Sequence, residues 1–286
     1  MTCKLCCSQD VLPFYSYNSF TLVQCPDCRL IYQEDMEKIN TLNMLYDTYN
    51  IHWIAMRDHA VRSTFGDHVA FQLLLLETFS PKKGQLLEIG SGTGEFMYAA
   101  KQAGWSVTGI EPSPLSQAYV KSKYDIDLIP SISNLTENVS LISQMEEGNT
   151  QYDVIVFWHV LEHIDEPLPF LSDMRSKLNR SGKMYVSVPN QHSFINEVLG
   201  TSSPLYTEAD HLYHYSVANL YSLFTQADLH IDTIFTRQLP EAFYVLVDQH
   251  TEYQKYSFTE RMGLFAKVQA EQRGHEICCV MSKKED

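Results

Sequence analysis

The chain has 286 residues, 44% of them hydrophobic, enough for one α/β domain with an appendage and too apolar for global disorder. Thirty-five acids against 21 bases leave a net charge of −14, which repels a polyphosphate backbone and disfavours nucleic acid as a partner. No apolar run reaches membrane-spanning length and the start lacks a basic-then-apolar leader, so a soluble, cytoplasmic protein with no membrane partner is expected.

Residues 1–35 form a small cysteine-bearing unit. Cys3-x2-Cys6 and Cys25-x2-Cys28 stand eighteen residues apart, the spacing of two knuckles that turn four thiolates onto one structural zinc ion. A unit this short needs such a staple, and a redox Cys-x-x-Cys would need a thioredoxin-like βαβ setting that is missing here. Cys7 is a spare thiol, and Cys278 and Cys279 sit in an apolar strand as core residues. Residues 36–80 read as a helical connecting or lid segment. "SPKKGQ" (80–85) is a hinge into the main domain, 81–286.

From there strand and helix alternate. The strands are "LLEIG", "VTGIEP", "IDLIP", "YDVIVFW" and "KMYVSVP", with helices starting near Gly94, Pro114, Asn134 and Glu166. Continuous Val/Ile runs with short connections predict a doubly wound α/β fold, its mostly parallel sheet covered on both faces. A helix "SVANLYSLFTQAD", a strand "LHIDTIFT", a mixed helical insertion over about 237–274 and a last strand "EICCVMSKK" follow.

The stretch "LLEIGSGTGEF" (86–96) carries the strongest motif. Gly90, Gly92 and Gly94 alternate directly after a strand, where open α/β sheets bind ligands. A dinucleotide fingerprint would put its third glycine at 95, but that residue is Glu95, a carboxylate where a pyrophosphate would lie. The next strand ends at Glu111, seventeen residues past Gly94, placed to accept hydrogen bonds from both hydroxyls of a ribose. The site therefore asks for a nucleoside without phosphates.

"LLEIGSGTGEF", "VTGIEPS", "YDVIVFWHVLEHIDEP" and "GKMYVSVPN" resemble, in order and spacing, the motifs of class I S-adenosylmethionine-dependent methyltransferases. The resemblance implies a seven-stranded, Rossmann-like sheet with its last strand antiparallel. It implies that Gly90, Gly92 and Gly94 approach the methionine part of the cofactor with Glu88 nearby, that Glu111 and Pro112 lie at the ribose, and that Trp158 and His159 border the methyl group. In place of the family's acidic adenine residue this chain reads "IPSISNL", leaving Ser131 and Ile132 as positional candidates. "FTLVQCPDCRLIYQ" resembles the N-terminal zinc ribbon of bacterial methyltransferases of small-molecule and sugar pathways.

"HVLEHID" (159–165) and "ADHLYHY" (209–215) resemble the metal-using O-methyltransferases of ubiquinone biosynthesis and of small-RNA ends, which have Glu-x-x-Glu-His here and a further His downstream. A helical turn would bring His159 and His163 onto one face with Glu162 adjacent, and Asp210-His211 would match the downstream His. His159 replaces the first Glu of that pattern, which disfavours a second divalent metal of the magnesium type, since imidazole prefers softer ions. The candidate proton acceptors are His163, His211 and His159. The reading is methyl transfer from S-adenosylmethionine to a small molecule, at a hydroxyl of a sugar or secondary metabolite. The alternatives are an RNA-end methyltransferase and a non-catalytic module that docks a partner through its ribbon. Substrate, acceptor atom and oligomeric state are not legible in the sequence.

Overall fold

The computed structural model describes residues 2–34, 62–130 and 151–284. The alternation of strand and helix in the main domain becomes one seven-stranded sheet. Its strands are β4 (Gln85–Ile89), β5 (Ser106–Glu111), β6 (Ile129–Pro130), β7 (Tyr152–Trp158), β8 (Leu178–Pro189), β10 (Leu229–Arg237) and β11 (Glu276–Lys283). Their spatial order is β10-β11-β8-β7-β4-β5-β6. Neighbours from β8 through β6 run parallel, and only β11 is antiparallel to its two neighbours, as expected. Glu276 pairs in register with both Pro189 and Arg237. The start of β11 therefore shares an edge with the carboxyl ends of the parallel strands, where such sheets bind ligands.

Strand periodicity splits the apolar side chains between two cores. Leu86, Val154, Val156, Tyr185 and Val280 face α1 (Arg62–Phe79) and α2 (Glu95–Gln102), meeting Leu75, Leu76, Phe96 and Trp105. Leu87, Ile89, Ile155, Phe157, Met184, Val186, Ile277 and Cys279 face the other way. There they meet α4 (Pro167–Lys177) and α7 (Val217–Gln226) through Phe170, Leu171, Met174, Leu220 and Phe224. Burial on both faces is why these strands read as continuous apolar runs. Cys278 and Cys279 are fully buried among them.

Helix ends follow local chemistry. α3 (Pro114–Tyr124) starts with Ser113 capping Ser116 and Pro114 in the first turn, and stops at Asp125 in the left-handed region. The expected strand "IDLIP" shortens to β6, which pairs only through Ile129 and Pro130 at the sheet edge. Pro130 has no N–H to extend the ladder. The helix expected near Asn134, and the candidates Ser131 and Ile132, lie outside the described residues. The insertion between β10 and β11 holds two helices, α8 (Pro240–Gln249) and α9 (Phe258–Ala270), packed around Phe243, Val247 and Val268. Short helices α5 (Phe194–Leu199) and α6 (Pro204–Thr207) link β8 to the segment that follows.

The cysteine-bearing unit adds β1 (Leu12–Ser16), β2 (Thr21–Gln24) and β3 (Ile31–Gln33), an antiparallel meander. It does not end at its own edge. β3 pairs with β9 (Tyr213–His214), contributed by the main domain, so one four-stranded sheet joins the two units. Cys3, Leu5, Val23, Cys25, Leu30 and Tyr32 belong to the same buried cluster as Tyr213, Leu220 and Leu223. Among the described residues, no helix is long and apolar enough to cross a membrane.

Candidate functional site

β4 delivers the chain into a turn where Gly90, Gly92 and Gly94 all have positive φ: 72°, 53° and 78°. Only glycine adopts this repeatedly without strain. A methyl group on Gly90 would lie 2.6 Å from Val160, and one on Gly94 2.8 Å from Val120; on Gly92 it would meet nothing within 4 Å. The first and third glycines thus permit close packing of the loop, while the second leaves a bare backbone face. The turn is stitched to β5, with the amides of Gly90 and Ser91 donating to the Ile110 carbonyl.

Glu111 ends β5 beside this turn. One carboxylate oxygen accepts from the Gly92 amide at 2.7 Å and the other from the Ser113 amide at 2.8 Å. Burial pushes its pKa up to about 7, against the pull of those two amides. Each oxygen keeps a second lone pair for a hydroxyl donor. Glu88, on β4, is buried as well, and burial raises its pKa well above the carboxylate range. One of its oxygens has no hydrogen-bond partner in the structure. Trp158 ends β7 with its ring edge-on to Phe96, centroids 5.5 Å apart, and its buried indole N–H is likewise unmatched. Glu88, Gly90, Gly92, Gly94, Glu111, Pro112 and Trp158 are therefore brought to one end of the sheet, with unmatched polar atoms from two strands.

The histidines after β7 sort differently from the expectation. His159 takes a left-handed backbone, φ 53°, and the following turn spans only Leu161–His163, so no helical turn joins His159 to His163 on one face. The ring of His159 instead lies between two buried carboxylates, Nε2 at 2.9 Å from Glu276 and Nδ1 at 3.5 Å from Glu162. Burial lowers its pKa, but the two carboxylates outweigh that and lift it to about 10. A third of the side chain is open to solvent, which trims the effect without reversing it. Each ring nitrogen of His159 thus faces a carboxylate, an arrangement that favours the imidazolium and sets His159 apart from the other two candidate proton acceptors, His163 and His211. Arg237 completes the group, donating to Glu276 at 2.9 Å and to His68 Nδ1 at 3.1 Å.

His163 and His211 do come together, rings edge to face with centroids 4.9 Å apart. His163 Nδ1 lies 2.8 Å from the Asp210 carbonyl, which can only accept. The hydrogen of this bond therefore sits on Nδ1. His211 Nε2 lies 2.9 Å from a carboxylate oxygen of Glu208, and its buried Nδ1 has no hydrogen-bond partner in the structure. Burial lowers the His211 pKa, and pairing with Glu208 more than restores it. Glu162 is fully buried beside both rings, with neither oxygen hydrogen-bonded. Glu162, His163 and His211 each place one ligand atom within 4.8 Å of the others.

Glu208, Glu276, Arg237 and His68 carry no motif. The available signal was a lone charge at the end of an apolar strand, Glu276 before "ICCVM" and Arg237 after "DTIFT". In the cysteine unit the Sγ atoms of Cys3 and Cys28, and of Cys6 and Cys25, are 3.5 Å apart, and all four lie within 4.8 Å of one another. Thiolates 2.3 Å from a tetrahedral zinc ion would be about 3.8 Å apart, so the donor set fits that metal.

Comparison with known proteins agrees with this geometry. Residues 58–234 match the model of a methyltransferase-domain family, more than half of the chain. The mitochondrial ubiquinone biosynthesis O-methyltransferase of Schizosaccharomyces pombe is 28% identical over 129 residues, 45% of this chain and 46% of that protein. The match thus spans less than half of the curated relative. A SAM-dependent methyltransferase of Archaeoglobus fulgidus superposes with TM-score 0.53 at 17% identity, covering 76% of this chain and 94% of that one. The 1,6-didemethyltoxoflavin-N1-methyltransferase of Burkholderia thailandensis gives TM-score 0.55 at 11% identity, covering 96% and 100%. Alternate glycines after β4, a sheet with β11 alone reversed, a carboxylate at the tip of β5 and the family match have one reading: the chain belongs to the methyltransferase-domain family and has the class I, S-adenosylmethionine-dependent fold.

Proposed function

We propose that the protein transfers a methyl group from S-adenosylmethionine to a hydroxyl of a small molecule, a sugar or secondary metabolite, with His211 as proton acceptor. When bound, the cofactor supplies a methyl group on a sulfonium, already a good leaving group. Glu111 would hold its ribose hydroxyls, the backbone at Gly92 its amino-acid end, and Glu88 the ammonium. What remains for the protein is alignment and removal of the hydroxyl proton. The observation that carries the reading is the Glu208–His211 pair. With Nε2–H donating to Glu208, the deprotonated ring of His211 carries its lone pair on Nδ1, the unpartnered atom, in the cluster with Glu162. The ubiquinone relative bears an O-methyltransferase name, which supports oxygen as the acceptor atom. The toxoflavin enzyme supports a small-molecule substrate.

A second reading of the same cluster is a divalent ion held by Glu162, His163 and His211. It is favoured by the fully buried Glu162 carboxylate, whose Oε1 has only the 3.5 Å contact with His159 and whose Oε2 has no hydrogen-bond partner in the structure. Two imidazoles suit zinc, manganese or iron better than magnesium. The cysteine unit is proposed to hold one structural zinc through Cys3, Cys6, Cys25 and Cys28. Against an RNA-end activity stands the net charge of −14. The test is transfer of labelled methyl to a panel of phenols, catechols, sugars and 3′-end RNA, each with and without chelator. Transfer to RNA alone rejects the small-molecule reading. Activity restored only by added metal selects the second reading.

A further inference from the structure

The last strand of the cysteine unit reaches the segment that carries His211. Gln33, the final residue of β3, is 1% exposed. Its side-chain amide donates to the Ala209 carbonyl at 2.7 Å and to the His211 carbonyl at 3.1 Å. Its backbone amide donates to the Leu212 carbonyl at 2.9 Å. Three consecutive links therefore hold the residues on both sides of His211, and the β3–β9 pairing of Ile31 with His214 and Tyr32 with Tyr213 continues them. From the opposite side the same segment is tied to the turn after β7. The Leu212 amide donates to the Glu162 carbonyl at 2.9 Å, and Tyr213 Oη to the Asp165 carbonyl at 2.7 Å.

The hold on β3 itself runs back to the cysteine knuckles. Asn219, in the capping box of α7, donates to the Cys28 carbonyl at 2.7 Å, and Gln191 to the Arg29 carbonyl at 3.1 Å. The Cys25 amide donates to Leu30 and the Arg29 amide to Cys25, joining the second knuckle to the start of β3. A buried primary amide that spends both hydrogens on carbonyls of a distant segment is a fixed positional element, because leaving those carbonyls unmatched in the interior carries a desolvation penalty.

We propose that Gln33 is a positioning residue for His211, so that the cysteine unit builds part of the acceptor side of the site and is not a free docking module. The inference rests on His211 as the proton acceptor, and its test is chosen to stand apart from that reading. Gln33→Met fills the same space without donating, and Gln33→Ala removes the side-chain volume as well, leaving a cavity. Both are compared with wild type by hydrogen exchange over residues 209–215, by ¹⁵N-imidazole spectra of His211, by zinc content and by S-adenosylhomocysteine affinity. In Gln33→Met, exchange at 209–215 is expected to speed up roughly ten-fold and the His211 imidazole signals to shift, with zinc content and cofactor affinity within about two-fold of wild type. With a substrate in hand, kcat should fall while KM stays.

Unchanged exchange and unchanged His211 signals in Gln33→Met would show that Gln33 only fills space, and overturn the inference. Loss of zinc and cofactor affinity together in that variant would mark a general folding residue and overturn it equally. If His211→Ala turns over like wild type while Gln33→Met still frees the segment, the proton-acceptor reading fails and the positional link stands.

Discussion

The two halves of the ligand edge are built in opposite ways. The half proposed to hold the cofactor comes from one stretch of chain, Glu88 to Ser113, in which strand, glycine turn, helix and second strand follow one another and lock through Gly90–Ile110 and Gly92–Glu111 contacts. The acceptor half is drawn from Gln33, from Glu162 and His163, from Glu208 to Leu212, and from Arg237 and Glu276, which are neighbours only in space. Under the proposed function, the contrast teaches that the cofactor grip is locally encoded and that acceptor chemistry depends on contacts between segments. It follows that the two halves should fail independently.

The largest separation should come from the cysteine unit. In Cys25→Ser/Cys28→Ser the zinc should fall from one per chain to none, with a loss on the order of several kcal/mol in the unit's own stability. Protection of β9 should go with it, while cofactor affinity persists. Metal analysis with hydrogen exchange reads both, and a full equivalent of retained zinc would remove the four-cysteine assignment. Next comes chemistry. His211→Ala should lower turnover about 10²- to 10⁴-fold and leave S-adenosylhomocysteine binding nearly intact. Wild-type rates in both His211→Ala and His163→Ala, with and without chelator, would exclude either ring as proton acceptor.

On the other half, Glu111→Ala deletes a buried charged acceptor and should weaken the cofactor by about 1.5–3 kcal/mol, roughly ten- to 150-fold, without disturbing the His211 spectrum. Calorimetry with unchanged affinity would cancel the ribose assignment. Gly94→Ala places a side chain at φ 78° against Val120 and should cost about 1–3 kcal/mol of stability, measured by denaturant titration. The smallest effect is on pH. Glu111 is raised to about 7 by burial, so below that value the free protein holds it protonated. Ribose hydroxyls favour the carboxylate, so binding should release a proton, and affinity should rise several-fold between pH 5.5 and 8 and then level off. Affinity that falls with pH over that range would place the ribose elsewhere.

Much was determined by the sequence alone. Continuous apolar runs marked the buried parallel strands, alternate glycines marked the positive-φ turn that Glu111 closes, and paired Cys-x2-Cys marked the cluster of four thiols. All are short-range signals, set by side-chain period, by φ preference or by ligand spacing. Tertiary structure decided the rest. Nothing local says that His159 turns left-handed toward Glu276, because its partner lies 117 residues away. The two-residue strand β9 has no pattern of its own and exists because β3 offers it an open edge. The proton-bearing nitrogens of His163 and His211 are set by the Asp210 carbonyl and by Glu208, which packing alone brings within hydrogen-bond reach. A residue's type fixes what chemistry it can do, but its lone pairs and protons are settled by whichever distant groups the fold places against it.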